Sequence, residues 1–229
     1  RNLLIASATM ALAASAMGAP AAAAPAGATL AIVHGIPGAL VDVCVNGGVL
    51  RTDFRYGQKI VLDDALPAGR YKVVVKAAKN AKPCQGDTIL KVKTTLDGTE
   101  NLTAVAGFVK GAPGLRFFDH DAVLGAGPGP SAIIAAHASR AGKVDVFIAS
   151  VVVPTAPTPT VPGVSRGSAA GAYVPAGQWS VWAAAPGTIK PIIGPNYKAT
   201  KAGKINHYVA VGTDPSNYRF VFFRTALDD

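Results

Sequence analysis

Two stretches decide the fold: Leu66-Pro67-Ala68-Gly69-Arg70-Tyr71-Lys72-Val73-Val74-Val75-Lys76, and Val174-Pro175-Ala176-Gly177-Gln178-Trp179-Ser180-Val181-Trp182-Ala183. Each opens on Pro-Ala-Gly, a turn in which Pro presets φ and Gly tolerates positive φ. Each then alternates with a period of two, which is the mark of a half-buried strand. Tyr71, Val73 and Val75 fall on one face, with Arg70, Lys72 and Lys76 on the other. In the second copy Trp179, Val181 and Ala183 oppose Gln178, Ser180 and Trp182.

The likeness extends outward in both directions. Thr29-Leu30-Ala31-Ile32-Val33-His34 matches Ala132-Ile133-Ile134-Ala135-Ala136-His137, and Val41-Asp42-Val43 matches Val144-Asp145-Val146. Further on, Asn101 to Gly107 matches Asn206 to Gly212, and Leu115-Arg116-Phe117 matches Tyr218-Arg219-Phe220. Five blocks recur in one order at offsets between 103 and 108, so the chain is a duplication. The Gly/Pro segment 126–130 marks the join, because no helix or strand runs through such a sequence. The expected organisation is a first unit over 28–125, a linker over 126–130 and a second unit over 131–229.

Apart from residues 1–27, helical periodicity is absent. Short β-branched and aromatic runs, separated by Gly/Pro turns, predict an all-β chain. The two units are expected to be β-sandwiches of one topology, each with about seven strands.

Residues 1–27 read as a signal peptide: an apolar run from Leu3 to Leu12 followed by small residues. The run is shorter than the roughly 20 apolar residues a membrane span needs. No later run is longer, so the expected product is secreted, with no membrane span in the mature chain. Two cysteines, Cys44 and Cys84, then predict one disulfide. The net charge of +9 favours anionic partners such as cell-wall polymers. With only 15% charged residues there is no dense basic arm, which argues against nucleic acid.

The motifs resemble a bacterial secreted tandem-repeat domain known only as a domain of unknown function, numbered forty-three ninety-seven. The strand ending in His34, Val41-Asp42-Val43-Cys44-Val45-Asn46-Gly47, Leu-Pro-Ala-Gly-Arg-Tyr and Asn101-Leu102-Thr103-Ala104-Val105-Ala106-Gly107 carry the resemblance. It implies immunoglobulin-like sandwiches in exported or cell-surface proteins, with no established activity. Family members often have a longer acidic or proline-containing loop between the His and the Val-Asp-Val. Here Ala138 to Lys143 lacks the proline.

Several constellations invite a chemical reading. His34 with Asp42, and His137 with Asp145, are the polar pairs shared by both copies. A general base also needs a nucleophile, and neither copy supplies one at a matching position. The pairs are therefore read as structural, with Asp accepting hydrogen bonds from a loop or the imidazole. Gly163-Val164-Ser165-Arg166-Gly167 spells a hydrolase elbow, but that motif needs a strand-to-helix turn and this one sits among prolines and glycines. Asp119-His120-Asp121 suggests a metal fragment without the spacing a calcium loop requires, and a solvated loop is expected. No catalytic residue, metal or cofactor is expected.

Binding candidates are the basic face and the aromatics. Arg70, Lys72 and Lys76, with Lys79, Lys82, Lys91 and Lys93, form either an anion contact or a solvated face that deters edge aggregation. Trp182, with Tyr56, Tyr173 and Tyr197, would serve a carbohydrate-binding module, while Trp182 also suits a domain interface. Tyr71 and Trp179 are assigned to the core. The expectation is a non-catalytic structural or interaction module of the cell envelope, its ligand or partner unknown. A carbohydrate- or anionic-polymer-binding module is the alternative, and a serine hydrolase the remote one.

Overall fold

The computed structural model describes residues 27–79, 82–125, 129–151 and 160–227. The expected signal peptide, apart from Gly27, and 126–128 of the linker lie outside the described residues.

The first unit holds β1 (Ala28–His34), β2 (Leu40–Val45), β3 (Gly48–Arg55), β4 (Lys59–Leu66), β5 (Gly69–Ala77), β6 (Thr88–Leu96), β7 (Asn101–Val109) and β8 (Ala112–Asp119). After the short helix α1 (His120–Leu124), the second holds β9 (Ser131–His137), β10 (Val144–Ser150), β11 (Val161–Val164) and β12 (Ala169–Val174). It continues with β13 (Gly177–Ala184), β14 (Pro191–Thr200), β15 (Lys204–Val211) and β16 (Arg219–Ala226).

The first unit pairs a sheet of order β4-β1-β7-β8 with one of order β3-β2-β5-β6; the second repeats this as β12-β9-β15-β16 and β11-β10-β13-β14. The chain is thus two β-sandwiches of the same topology, as the repeat requires. Among the described residues each has eight strands in place of about seven, and β1–β7 and β9–β15 are parallel pairs within otherwise antiparallel sheets. The two-residue Asn46-Gly47 turn joins β2 to β3, both residues at positive φ, the geometry that suits a twisted hairpin.

Each sandwich closes on its own core. The first collects Leu30, Ile32, Val41, Val43, Phe54, Val73, Val75 and Ala104. The second collects Ile133, Ala135, Val144, Val146, Val181, Ile193 and Tyr208. A third cluster belongs to both units: Ala31, Val33, Val105 and Phe118 pack with Ala136, Val209, Val211, Val221 and Phe223. The β1 and β9 sheets therefore lie face to face, giving four layers. β1 and β9 are buried along their whole length, on both faces, which is why their sequences run apolar without alternating.

This seam corrects the last two repeat blocks. Ala106 pairs with His34, and Ala210 with His137, so β7 aligns with β15 at an offset of 104. Thr103 is thus the counterpart of His207, and Val105 of Val209. The ladders of β8 and β16 place Leu115 with Phe220, not with Tyr218. Matching Asn101 to Asn206 by chemical likeness is one residue out, and such a slip turns every side chain to the wrong face.

Asp119-His120-Asp121 forms the start of α1 in place of the expected loop. The Asp119 side chain accepts from the Asp121 and Ala122 backbone N–H groups as an N-cap. His120 is buried in the seam, its ring 4.3 Å from that of His207.

Candidate functional site

The basic outer sheet of the first unit is held open by its turns. Asn46 Oδ1 accepts from the Lys72 N–H at 2.8 Å, and Asn46 N–H donates to the Lys72 carbonyl at 3.0 Å, fixing the β2–β3 turn on β5. The Tyr71 hydroxyl donates to the Pro67 carbonyl at 2.6 Å, and Trp179 Nε1 to that of Pro175 at 3.0 Å. Both half-buried rings lock the start of their strand, much as a tyrosine corner does.

Beyond Tyr71, the ladder sets Lys72 directly opposite Lys93, and Arg70 opposite Thr95. A like-charge cross-strand pair is a local cost. These residues line a groove of about 590 Å³ whose walls are Asn46, Arg70, Tyr71, Lys72, Lys93, Thr94 and Thr95. No acidic residue is among them. In the second unit Ser180 opposite Tyr197 occupies the place of Lys72 and Lys93. Lys76 does not line the groove; it sits further along β5, half-buried, in register with Asp42.

The His–Asp pairs do not meet. Asp42 Oδ1 accepts from Asp53 N–H at 3.2 Å and Oδ2 from Cys84 N–H at 2.9 Å. Asp145 Oδ1 accepts from Gly163 N–H at 2.7 Å and Oδ2 from Gly187 N–H at 2.8 Å. All four donors sit at positive φ, so each carboxylate clamps two kinked backbones. The first clamp also holds the loop of the Cys44–Cys84 disulfide, which is formed.

His34 points instead into the core, where Nδ1 accepts from the Ile36 N–H at 3.2 Å and Nε2 donates to the Ala39 carbonyl at 3.1 Å. In the second copy His137 Nε2 donates to the Gly142 carbonyl at 2.8 Å, with Ser139 Oγ 3.3 Å from Nδ1. Both are neutral loop anchors, and burial lowers both pKa values.

The hydrolase-like motif is a turn. Gly163 is the kinked residue on Asp145, and Ser165–Ser168 closes with Ser168 N–H donating to the Ser165 carbonyl at 3.0 Å. A strand follows, not a helix, so the elbow geometry is missing. The first copy forms the same turn without the serine, Arg55 standing in the place of Ser165. Arg55–Gln58 closes in the same way at 2.9 Å, and Gly57 and Gly167 donate to the carbonyls of His34 and His137.

Trp182 lies on the outer face of its sheet, half-buried, with one ring face stacked on Phe147 at 4.8 Å and 5°. Of the tyrosines grouped with it from sequence, Tyr197 is exposed. Tyr56 is held in the seam, its hydroxyl donating to the Asn217 carbonyl, and Tyr173 donates to the Gly125 carbonyl at 3.1 Å. These rings do not form one platform.

The first sandwich also encloses an apolar cavity of about 70 Å³, bordered by Leu30, Val43, Phe54 and Ala104. The second has Tyr208 at the position of Ala104, and that ring fills the space. Among the described residues no group of three or more His, Cys, Asp or Glu could hold a metal ion, and no helix is long and apolar enough to cross a membrane.

Sequence reasoning missed one cluster, Arg116, Arg140 and Arg166. These residues stand 24 or more apart in the chain, and no spacing rule joins them.

No curated protein matches the chain. The model of a family described as a domain of unknown function (DUF4397) matches residues 28–147, the whole first unit and the start of the second. That is just over half of its length, and the chain belongs to this family.

Proposed function

We propose that the protein is a secreted, non-catalytic interaction module of the cell envelope that holds an anionic polymer in the groove of its first unit. The carrying observation is the Lys72–Lys93 pair, set side by side with Arg70 in a groove without an acidic wall. Bound carboxylate, sulfate or phosphate groups would offset that repulsion, and the groove is open enough to admit a chain. A disulfide supports an oxidising compartment, and the signal-like residues 1–27 support export.

Non-catalytic function rests on the roles already taken. The histidines and aspartates of the two copies anchor loops, and Ser165 lies in a turn without a base hydrogen-bonded to it among the described contacts.

Retention on an immobilised carboxylated or sulfated polysaccharide, set against a neutral glycan, tests the proposal. The chain should bind the charged matrix only and elute as salt screens the contact. Lys72→Gln with Lys93→Gln should abolish retention. Equal retention by that double variant, lost instead on Trp182→Ala, would replace the reading with carbohydrate stacking on the second unit.

A further inference from the structure

The seam carries a second concentration of positive charge, remote in sequence and in sheet from the groove. Arg116 comes from β8 of the first unit. Arg140 comes from the β9–β10 connection of the second, and Arg166 from its β11–β12 turn.

Three contacts place their guanidiniums together. Arg166 Nη2 donates to the Phe108 carbonyl. The guanidinium of Arg140 lies 5.8 Å over the Phe108 ring. That of Arg116 rests on Gly167, next to Arg166, so closely that a Cβ there would collide with it.

The surrounding groups do not neutralise this charge. Burial, then Arg116 and Arg140, lower the pKa of Arg166, with Tyr218 acting weakly the other way. His137 also feels Arg166 and Arg116, and is itself held neutral by burial. Asp214 acts on Tyr218, but its carboxylate is occupied within its own turn by Ser216, Asn217 and Thr213. The Nε atoms of Arg116 and Arg166 are buried without a hydrogen-bond partner. Buried, unpaired donors on charged groups are costly.

The fold does not need this arrangement to join its units. At the same end of the seam the equivalent turn of the first unit presents Tyr56 where the second unit has Arg166. There the Tyr56 hydroxyl donates to the Asn217 carbonyl, and Arg219 covers the ring at 5.1 Å. Gly57 and Gly167 show that the two turns dock alike, each against an arginine of the other unit. One phenol and one arginine suffice where the first turn docks; three arginines converge where the second does.

We propose that Arg116, Arg140 and Arg166 form an oxyanion site at the junction of the two units, taking a phosphoryl or sulfuryl group. Guanidinium forks match such groups geometrically, and the bound charge ties both units to one ligand.

The test uses the whole chain, with inorganic phosphate titrated against chloride at constant ionic strength and binding followed by calorimetry and melting temperature. Phosphate should bind at one site per chain and raise the melting temperature. Arg140→Gln is the informative variant, because the side chain is exposed and its backbone N–H bond to Gly212 survives the change. It should weaken phosphate binding about tenfold or more. In phosphate-free buffer it should melt higher than the parent, since a repulsion has been removed. Glycerol phosphate provides a second arm: binding as tight as that of phosphate assigns the site to the end group of a larger molecule, and rejection assigns it to the free ion. Lys72→Gln with Lys93→Gln must keep the phosphate response, which separates this site from the groove. No response beyond chloride, an unchanged response in Arg140→Gln, or a lost response in the lysine variant would overturn the proposal.

Discussion

Acidification from pH 7.5 to 5.5 should remove a large part of the stability. All four histidines of the chain are at most 1% exposed. Burial lowers the pKa of His34, His137 and, most of all, His207, whose neighbour His120 pushes in the same direction. Their folded values lie below the 6.5 of an exposed imidazole, so the unfolded chain takes up protons first. Stability is then flat above about pH 7 and falls as pH drops through 6.5 toward the folded values. Each group contributes up to about 1.4 kcal/mol per pH unit in that window. The ceiling for three is about 4 kcal/mol between pH 7.5 and 5.5, met only by groups whose folded values fall below that window, against a typical total of about 5–15 kcal/mol. The local cost is visible at His34, where Nδ1 accepts the Ile36 N–H and has no room for a proton of its own. The Thr99 bonds to Asp97 and the Ser216 bond to Asp214 lower their pKa values below 3.8, so both stay charged throughout the window. Urea unfolding at pH 7.5, 6.5 and 5.5, followed by tryptophan fluorescence, measures the slope. His34→Gln should remove about one third of it. A change below about 1 kcal/mol across the window would refute the account of these residues as buried neutral anchors.

Four further outcomes follow from particular contacts. Asp145→Ala removes the acceptor of the Gly163 and Gly187 N–H groups and should cost about 2–4 kcal/mol, with Asp145→Asn losing less, by thermal melting. Replacing Cys44 and Cys84 by Ser should cost about 2–4 kcal/mol, while a thiol assay on the parent under denaturing, non-reducing conditions finds none free. Phe223→Ala should cost about 3–5 kcal/mol, and hydrogen exchange should quicken in β1 and β7 as well as in β15, because the seam belongs to both units. Above pH 10 stability should fall again in urea titrations: burial raises the Tyr208 pKa to about 12, so the unfolded chain ionises first.

The parts of the fold that read easily from sequence are those governed by local rules. Alternation over Tyr71 to Lys76, the Pro-Ala-Gly turns and the paired cysteines point correctly to the strands, the repeat and the disulfide. What fails depends on the other unit. Asn101 aligns with Asn206 by likeness of residue, yet in the folded chain Asn206 serves the second core, bonding the Ala132 carbonyl and Arg224. Thr103 and His207 are the true counterparts, and both face a seam that no single-unit pattern reveals. The site divides in the same way. Arg70, Lys72 and Lys93 follow from strand periodicity, whereas Asn46 joins them only through a hairpin bond. Pairing His34 with Asp42 is wrong because the two strands belong to different sheets of the sandwich.

The seam also explains where function can reside in a duplicated chain. The turn of each unit, at Tyr56 and at Arg166, reaches the far hairpin of the other, a reciprocal contact of the kind two-fold assemblies make. Each inner sheet must therefore satisfy its own core on one face and its partner on the other. That double constraint keeps β1 and β9 apolar and alike. The outer sheets touch only one core, so their outward faces were free to diverge: Lys72 and Lys93 on one, buried Ser180 beside Tyr197 with the Phe147–Trp182 stack on the other. A shared ancestral activity would be expected to survive at matching positions, and the matching polar residues, His34 with His137 and Asp42 with Asp145, are all loop anchors. The positions that could recognise a ligand are those in which the copies differ. The groove proposed to hold an anionic polymer thus lies on a surface that the pairing of the units left unconstrained, and the proposed arginine site at a junction where the two copies differ.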